Sequence, residues 1–347
     1  MKIDHKGIPM YTSPIRDFFV FFFLLAFLTL SSFKAGESME RYYFEGVAQG
    51  TSYHINCYAA QQSVTKTQID SILTKIDSSL SIYKKYSLIS EFNESEAGVR
   101  MDDHLKTVIS KSLEISQKSE GAFDITVYPL VNAWGFGLIT PSSLPDTAQV
   151  KELLKNVGYQ HLKIRSNQLL KNIPAIKIDV NGIAQGYSVD VIADFLETNK
   201  IYDYVVELGG EVRVKGKKYN NERFKIGIEA VNDEDFLPIQ KYVEINEGAI
   251  TTSGNYRKFY LSGKQRVSHL IDPKTGYYLQ NNLISVTVHA KDAITADGYD
   301  NVLMNLGLEN AMRFLAQNEG LSAYFVYTEN GITRDTSSTG FPQIREF

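Results

Sequence analysis

Apolar residues recur along the chain in two rhythms. Ile69, Ile72, Leu73, Ile76 and Leu80 keep the spacing of one helical face, as do Leu105, Val108, Ile109 and Leu113, a pattern that stops at Gly121. A third helical stretch begins near Asp146 with Val150, Leu153, Leu154 and Val157, and ends before Gly158. Tyr43–Tyr58, rich in β-formers around Gly46 and Gly50, predicts a strand pair. Ile176–Val180 predicts a strand that passes through Asn181-Gly182 into a helix carrying Val189, Ile192 and Leu196. Strand-like runs follow at Tyr204–Leu208, Glu211–Lys215, Phe224–Glu229, Tyr242–Ile245, Arg257–Leu261 and Ile284–Ala290. Helices from about Thr295 to Leu306 and from Glu309 to Gln317, then a strand at Ala323–Tyr327, close the chain. Helices and clustered strands without a regular βαβ alternation predict a mixed α+β class, not a doubly wound sheet.

One apolar run fits neither rhythm. Phe18 to Phe33 is 16 residues long, preceded by Lys2, Lys6 and Arg16. A basic stretch before a short apolar one reads as an export signal, and the run falls short of the roughly 20 residues of a spanning helix. Phe33 stands where cleavage after Ala35 prefers a small residue, so residues 1–36 are read as a signal peptide or an uncleaved N-terminal membrane anchor. Beyond it no linker is visible, which predicts a single domain over residues 40–347.

Composition narrows the classes. The chain has 347 residues, 43% hydrophobic and 22% charged, with 12% aromatics, which excludes global disorder and coiled coil. A net charge of −4 argues against nucleic acid as the main partner. Residues 1–36 hold four positive and two negative side chains, so the remaining 311 residues carry −6. Cys57 is the only cysteine, which excludes an internal disulfide and cysteine-built metal sites, and no cysteine follows the apolar run closely enough to carry a lipid. In its alternating strand pattern Cys57 reads as a buried small hydrophobe, with His54 on the opposite strand face.

The familiar nucleotide and hydrolase motifs are absent: no GxGxxG after a strand, no Walker A loop, no HExxH, no GxSxG. Asp297, Asp300 and Asn301 stand at i, i+3 and i+4, so one helix face offers two carboxylates and an amide oxygen. That set suits Mg²⁺, which takes hard oxygen ligands; it equally suits a helix start with Thr295 or Asp297 as N-cap. His269 sits at a strand end before the turn Asp272-Pro-Lys-Thr-Gly276, placed as a general base or as a structural histidine. Asp179-Val-Asn-Gly-Ile-Ala-Gln-Gly186 is a strand-to-helix turn whose amides or carbonyl could meet phosphate or metal, or whose glycines serve packing. Gly121-Ala-Phe-Asp124 follows a helix and could be its C-cap. Gly209-Gly210 reads as a hairpin turn.

Together these segments resemble the FAD:protein FMN transferase family, the ApbE-type flavin transferases. The pieces are Gln49-Gly-Thr51; Leu80-Ser-Ile-Tyr83 with Ser90-Glu-Phe-Asn93; and Gly121-Ala-Phe-Asp-Ile-Thr126, continuing to Pro129-Leu-Val-Asn-Ala-Trp-Gly-Phe-Gly137. Asp179 to Tyr187 with Asp190, Glu207-Leu-Gly-Gly210, Thr252-Ser-Gly254, Ser268-His-Leu-Ile-Asp-Pro273 and Ala296-Asp-Gly-Tyr-Asp-Asn301 complete the order. The resemblance implies an exported, Mg²⁺-dependent enzyme with an ApbE-type fold. It would move the FMN part of FAD onto a threonine hydroxyl of a target flavoprotein and release AMP. It places Tyr83 against the isoalloxazine, Ala122, Phe123 and Asp124 along the flavin site, and Gln49, Asp179, Gln185 and Ile271 in further FAD contacts. The Gly182 carbonyl, Asp297, Asp300 and Asn301 would hold the metal, and His269 matches the proposed base. Asn301 stands for the usual Thr, Gln185 for Lys or Glu, and Gln49 for Met. By analogy the acceptor is a subunit of a membrane electron-transfer complex of the Rnf or Nqr type, reached on the periplasmic side of the inner membrane. A Mg²⁺-dependent FAD pyrophosphatase and a non-catalytic FAD-binding protein are the alternatives.

Overall fold

Alternation along the strands sorts side chains into two cores on either face of one large sheet. The computed structural model describes residues 39–138, 141–228, 241–255, 259–262 and 265–346. The elements begin with β1 (Glu40–Ala48), β2 (Thr51–Ala59), α1 (Lys66–Leu80), α2 (Leu88–Glu94), β3 (Gly98–Arg100), α3 (Asp103–Lys118), α4 (Tyr128–Ala133) and α5 (Thr147–Leu154). Next come β4 (Leu162–Arg165), β5 (Gln168–Lys171), α6 (Ala184–Thr198), β6 (Asp203–Leu208), β7 (Glu211–Lys215), β8 (Phe224–Ile228) and β9 (Lys241–Ile245). The rest are β10 (Glu247–Gly254), β11 (Phe259–Ser262), β12 (Gln265–Ser268), β13 (Leu283–Ala290), α7 (Ala293–Ala316), β14 (Ser322–Glu329), β15 (Ile332–Ser337) and β16 (Ile344–Glu346). Residues Glu40–Phe347 cluster as one compact unit.

Eight strands pair in the order β1-β2-β6-β7-β10-β13-β14-β15, and the pairings are antiparallel. Smaller sheets are β16-β9-β8, β3-β5-β4 and β11-β12. The class is therefore mixed α+β, as the patterning predicts. Ala249, Ala323 and Phe325 pack with α6 and α7, while their neighbours Ile250, Tyr324 and Val326 pack with the β8–β9 sheet. In β7, Val212 and Val214 join the β8–β9 side, which turns Glu211 and Arg213 toward the helices. A second cluster gathers α1, α2, α3 and the 176–183 segment. Each fully buried Ile or Leu in these cores is worth roughly 1.5–3 kcal/mol.

Several local expectations hold. Gln49 and Gly50 turn β1 into β2 with φ of 53° and 78°, the paired positive angles of a tight hairpin. Gly209 and Gly210 link β6 to β7 in the same way, with φ of 68° and 111°. Cys57 is fully buried, and His54 is half-buried on the other face. The expected pair of helices ending near Leu306 and starting near Glu309 is also found: Gly307, at φ 71° and ψ 163°, is non-helical and breaks α7 into two helical stretches.

Others are corrected. Ile176–Val180 joins no ladder. Side chains take several of its backbone bonds instead: Ile178 N–H donates to Asn93 Oδ1 at 2.7 Å, Asn93 Nδ2 donates to Ile178 O at 2.9 Å, and Lys171 Nζ donates to Ile176 O at 2.7 Å, while Asp179 N–H donates to Ile125 O at 2.7 Å. The short elements α2, α4, β3, β4, β5, β15 and β16 lack a long enough apolar pattern to be read in advance. Residues 1–36, read as signal or anchor, lie outside the described residues, as do Glu229 and Arg257 at the ends of two predicted strands. Among the described residues no helix is long and apolar enough to cross a membrane.

Candidate active site

The site is built on α7, whose first half is buried on nearly every side. Asp292 is its N-cap, accepting the Thr295 N–H at 3.1 Å, so neither Thr295 nor Asp297 caps the helix. Asp297 and Asp300 lie inside the helix, only 4% and 2% exposed. Burial, with Glu211 and Asp190 nearby, pushes the Asp297 carboxyl well above the usual carboxylate range; the Gly186 N–H pulls it partly back.

Gly186, in the first turn of α6, donates that N–H to Asp297 Oδ2 at 2.8 Å. A Cβ there would fall 2.4 Å from Ala293 O and 2.7 Å from Asp297 Cβ, so only glycine permits the approach. The idea that this helix start offers its amides to phosphate therefore does not hold for Gly186, whose amide serves Asp297. One turn later along α6 the contact is returned. Asp190 accepts the N–H groups of Ala293 and Ile294, the first two residues of α7, at 2.9 and 2.8 Å. Each helix thus satisfies first-turn donors of the other. Arg213 Nη1 secures Asp190 at 2.7 Å.

Asn301 points its Nδ2 at three oxygens: Asp300 Oδ1 at 2.9 Å, Asp297 O at 3.0 Å and Gly182 O at 3.3 Å. A half-turn of the amide replaces this donor by Oδ1. The donor set is then two carboxylates, an amide oxygen and a carbonyl, the all-oxygen chemistry that hard divalent cations take. Among the described residues no group of three or more His, Cys, Asp or Glu side chains is placed to hold a metal, and this set, with two carboxylates, is of a different make-up.

The other predicted residues distribute around the 179–183 turn. A Cβ on Gly182 would lie 3.6 Å from Phe123 Cε2, so the Phe123 ring borders the Gly182–Asn301 contact. Asp179 Oδ1 shapes the turn by accepting the Asn181 N–H at 2.8 Å. Tyr83 is 61% exposed, its hydroxyl lying near the Asn181 side chain and in the field of Asp179. Gln185 lies against the β6–β7 turn, where a Cβ on Gly209 would come within 2.9 Å of its Nε2. Gln49 Nε2 donates to Ser188 Oγ at 2.7 Å, tying the β1–β2 turn to α6.

Asp124 and Ile271 take their contacts elsewhere. Asp124 is buried, its Oδ1 held by Thr126 N and Oγ1 at 2.8 and 2.6 Å and its Oδ2 by Tyr159 N at 2.7 Å. Its carboxylate therefore supports the loop that Ala122 and Phe123 belong to. Gly121 ends α3, with φ 81° and its N–H on Ser116 O at 2.7 Å, so the capping role is real and the loop continues into the site. Ile271 forms a lone bridge with Tyr278 and packs beside Trp134. His269 follows β12 directly, its ring 6.2 Å from that of Phe136. Asp272 folds the following turn, accepting the Lys274 and Gly276 N–H groups.

Asn305 joins these parts. One turn beyond Asn301, its Nδ2 donates to Ala122 O at 2.9 Å and reaches Asp272 Oδ1 at 3.5 Å. The same helix therefore bears the acidic face and anchors both the 121–124 loop and the turn after His269. Asn305 continues the i+4 series of the acidic face and was readable on that ground. Glu211 and Arg213 also escape a motif search, although charges alternating with Val212 and Val214 mark a strand face that must meet polar partners.

The site thus rests on a buried, glycine-spaced helix pair packed on an eight-stranded antiparallel sheet, with an acidic helix face beside the 179–183 turn. The ApbE family model matches residues 49–325, and the chain belongs to the ApbE family. It is 36% identical over 314 residues to the FAD:protein FMN transferase of Vibrio cholerae serotype O1, covering 87% of this chain and 92% of that one. It is 34% identical over 313 residues to the FAD:protein FMN transferase of Escherichia coli K12, covering 87% and 88%. The structure of the flavin transferase ApbE from Vibrio cholerae superposes with a TM-score of 0.80 at 33% identity, over 87% of this chain and 98% of that one. The flavinyl transferase ApbE from Pseudomonas stutzeri, in its apo form, gives 0.79 at 32% identity over 87% and 96%.

Proposed function

We propose that this chain is a FAD:protein FMN transferase that joins the FMN phosphate of FAD to a threonine hydroxyl of a target flavoprotein and releases AMP. The observation that carries the reading is the buried acidic face of α7 meeting the Gly182 carbonyl beside Phe123, in a chain with FAD:protein FMN transferase relatives over most of its length.

In the proposed reaction the threonine oxygen forms a bond to the FMN phosphorus as the bond to the bridging pyrophosphate oxygen breaks. His269 takes the hydroxyl proton, a contribution on the order of 10²–10⁴-fold. Gly182 O, Asp297, Asp300 and Asn301 would hold Mg²⁺, which when bound offsets the negative charge on the pyrophosphate and the departing AMP. Tyr83 and Phe123 flank the 179–183 turn and would receive the flavin ring, with Asp179, Gln185 and Gln49 around it. Asp124 acts through its loop, and Ile271 through the turn after His269. The acceptor fits a subunit of a membrane electron-transfer complex of the Rnf or Nqr type. Residues 1–36 would bring the enzyme to the periplasmic side, as a cleaved signal or an inner-membrane anchor.

One incubation tests the reading: purified protein, FAD, Mg²⁺ and an acceptor domain with its threonine. Flavin fluorescence that migrates with the acceptor in a denaturing gel, and is lost when that threonine becomes alanine, is the expected result. FMN and AMP released without an acceptor would make the protein a pyrophosphatase instead, and unchanged FAD that copurifies would make it a binding protein.

A further inference from the structure

The reciprocal contact between α6 and α7 has an unusual composition. Asp190 is 7% exposed and bears three donors: the Ala293 and Ile294 N–H groups and Arg213 Nη1. A buried carboxylate placed near the equally buried Asp297 raises the cost of charging both. Asp292 caps α7 only at the Thr295 N–H; the buried Ala293 and Ile294 N–H groups depend on Asp190, so the start of α7 is completed by a side chain of α6. Arg213 is the cation that faces Asp190, and it also stands 3.7 Å from Asp194 and 3.9 Å from Glu197. Glu197 is held in turn by Lys215 at 2.6 Å and by Tyr204 at 2.7 Å. The network fixes the start of α7 to α6 and β7, and with it the register in which Asn301, beside Asp300, meets Gly182.

We infer that Asp190, secured by Arg213, is a positioning residue for the divalent cation: it fixes α7 so that the Asp297–Asn301 face keeps its place against the Gly182 carbonyl. The inference rests on the proposed metal reading of that face. The first turn of α7 has one arrangement that satisfies both Asp190 oxygens, and the carboxylates follow one turn behind it. Asp190→Asn keeps one acceptor oxygen but sets an amide donor against a backbone N–H or Arg213. Loss of such supporting partners costs roughly 10–100-fold in metal affinity.

The test is calorimetric titration of the purified full chain with Mg²⁺ alone, beside Mg²⁺ dependence of transfer at saturating FAD. Asp190→Asn and Arg213→Met are expected to weaken Mg²⁺ binding roughly 10–100-fold and to raise the Mg²⁺ requirement, with kcat restored at saturating Mg²⁺. Arg213→Lys, which keeps the charge, should recover part of the affinity and serves where Asp190→Asn fails to fold. Mg²⁺ affinity within twofold of the parent in both Asp190→Asn and Arg213→Met, with only a lowered melting temperature, would overturn the inference. Asp297→Asn separates the two readings. If it binds Mg²⁺ as the parent does, the metal reading falls and the inference with it. If it loses Mg²⁺ while Asp190→Asn keeps it, the positioning role alone is overturned.

Discussion

Gly186 and Asp297 lie 111 residues apart in the chain and share a hydrogen bond of 2.8 Å, backbone N–H to carboxylate. This contact sets the separation of the two helices beneath the large sheet. A methyl group at Gly186 would collide with the Ala293 carbonyl, a backbone atom that cannot swing aside. Gly186→Ala should destabilise the fold by roughly 1–3 kcal/mol and abolish transfer. Urea denaturation checks it, and an unchanged midpoint would mean that the helices separate without cost.

His269 leads to a kinetic expectation. Replacement by alanine should lower kcat for transfer by about 10²–10⁴-fold while FAD affinity stays close to that of the parent. Single-turnover transfer together with FAD titration distinguishes this from a binding defect. A loss confined to KM would give the histidine to substrate binding.

Asn305 holds the 121–124 loop to α7 through its bonds to Ala122 O and Asp272 Oδ1. Asn305→Ala removes a donor from the Ala122 carbonyl, at a cost of about 1 kcal/mol, or roughly fivefold in an equilibrium constant. The KM for FAD should rise by about that factor with kcat little changed. Steady-state kinetics over FAD concentration decide it; a fall in kcat at constant KM would count against the assignment.

Lys171 gives a pH dependence of known sign. Its ammonium is buried, donates to Phe92 O and Ile176 O, and is pulled down to about 8 by burial and then by the charge of Lys177. In the unfolded chain an ordinary lysine holds its proton to about 10.4. Between these values the unfolded state binds more protons, so stability gains with rising pH through this group. Relative to Lys171→Met, the parent should therefore gain stability from pH 7 to pH 10. Urea midpoints of both proteins at the two pH values test the direction, and a relative loss would contradict it.

Local periodicity carries far in this chain and then stops for a physical reason. The helix of Asp297 and the turn of Gly209-Gly210 follow from spacing and turn chemistry within a few residues. Ile176–Val180 has the composition of a strand, yet Asn93 and Lys171 satisfy its backbone in place of a neighbouring strand. No local pattern announces that, because Asn93 lies 85 residues away in the chain and Lys171, although five residues from Ile176, belongs to a strand that folds back on it. Asp124 shows the same limit: its position in a loop motif was readable, while its commitment to Thr126 and Tyr159 was not.

The sequence alone determined the α+β class, the two carboxylates and one amide on one helix face, the short apolar run near the N-terminus and the order of motifs that marks the family. Each is set by backbone period, composition or adjacency along the chain. Tertiary structure alone decided that Gly186 touches Asp297, that Asp190 with Arg213 holds the start of α7, and that Asn305 ties the 121–124 loop to the turn after His269. Those contacts depend on how closely two helices and a sheet can pack, and the absence of a Cβ at Gly186 is what lets them pack so closely.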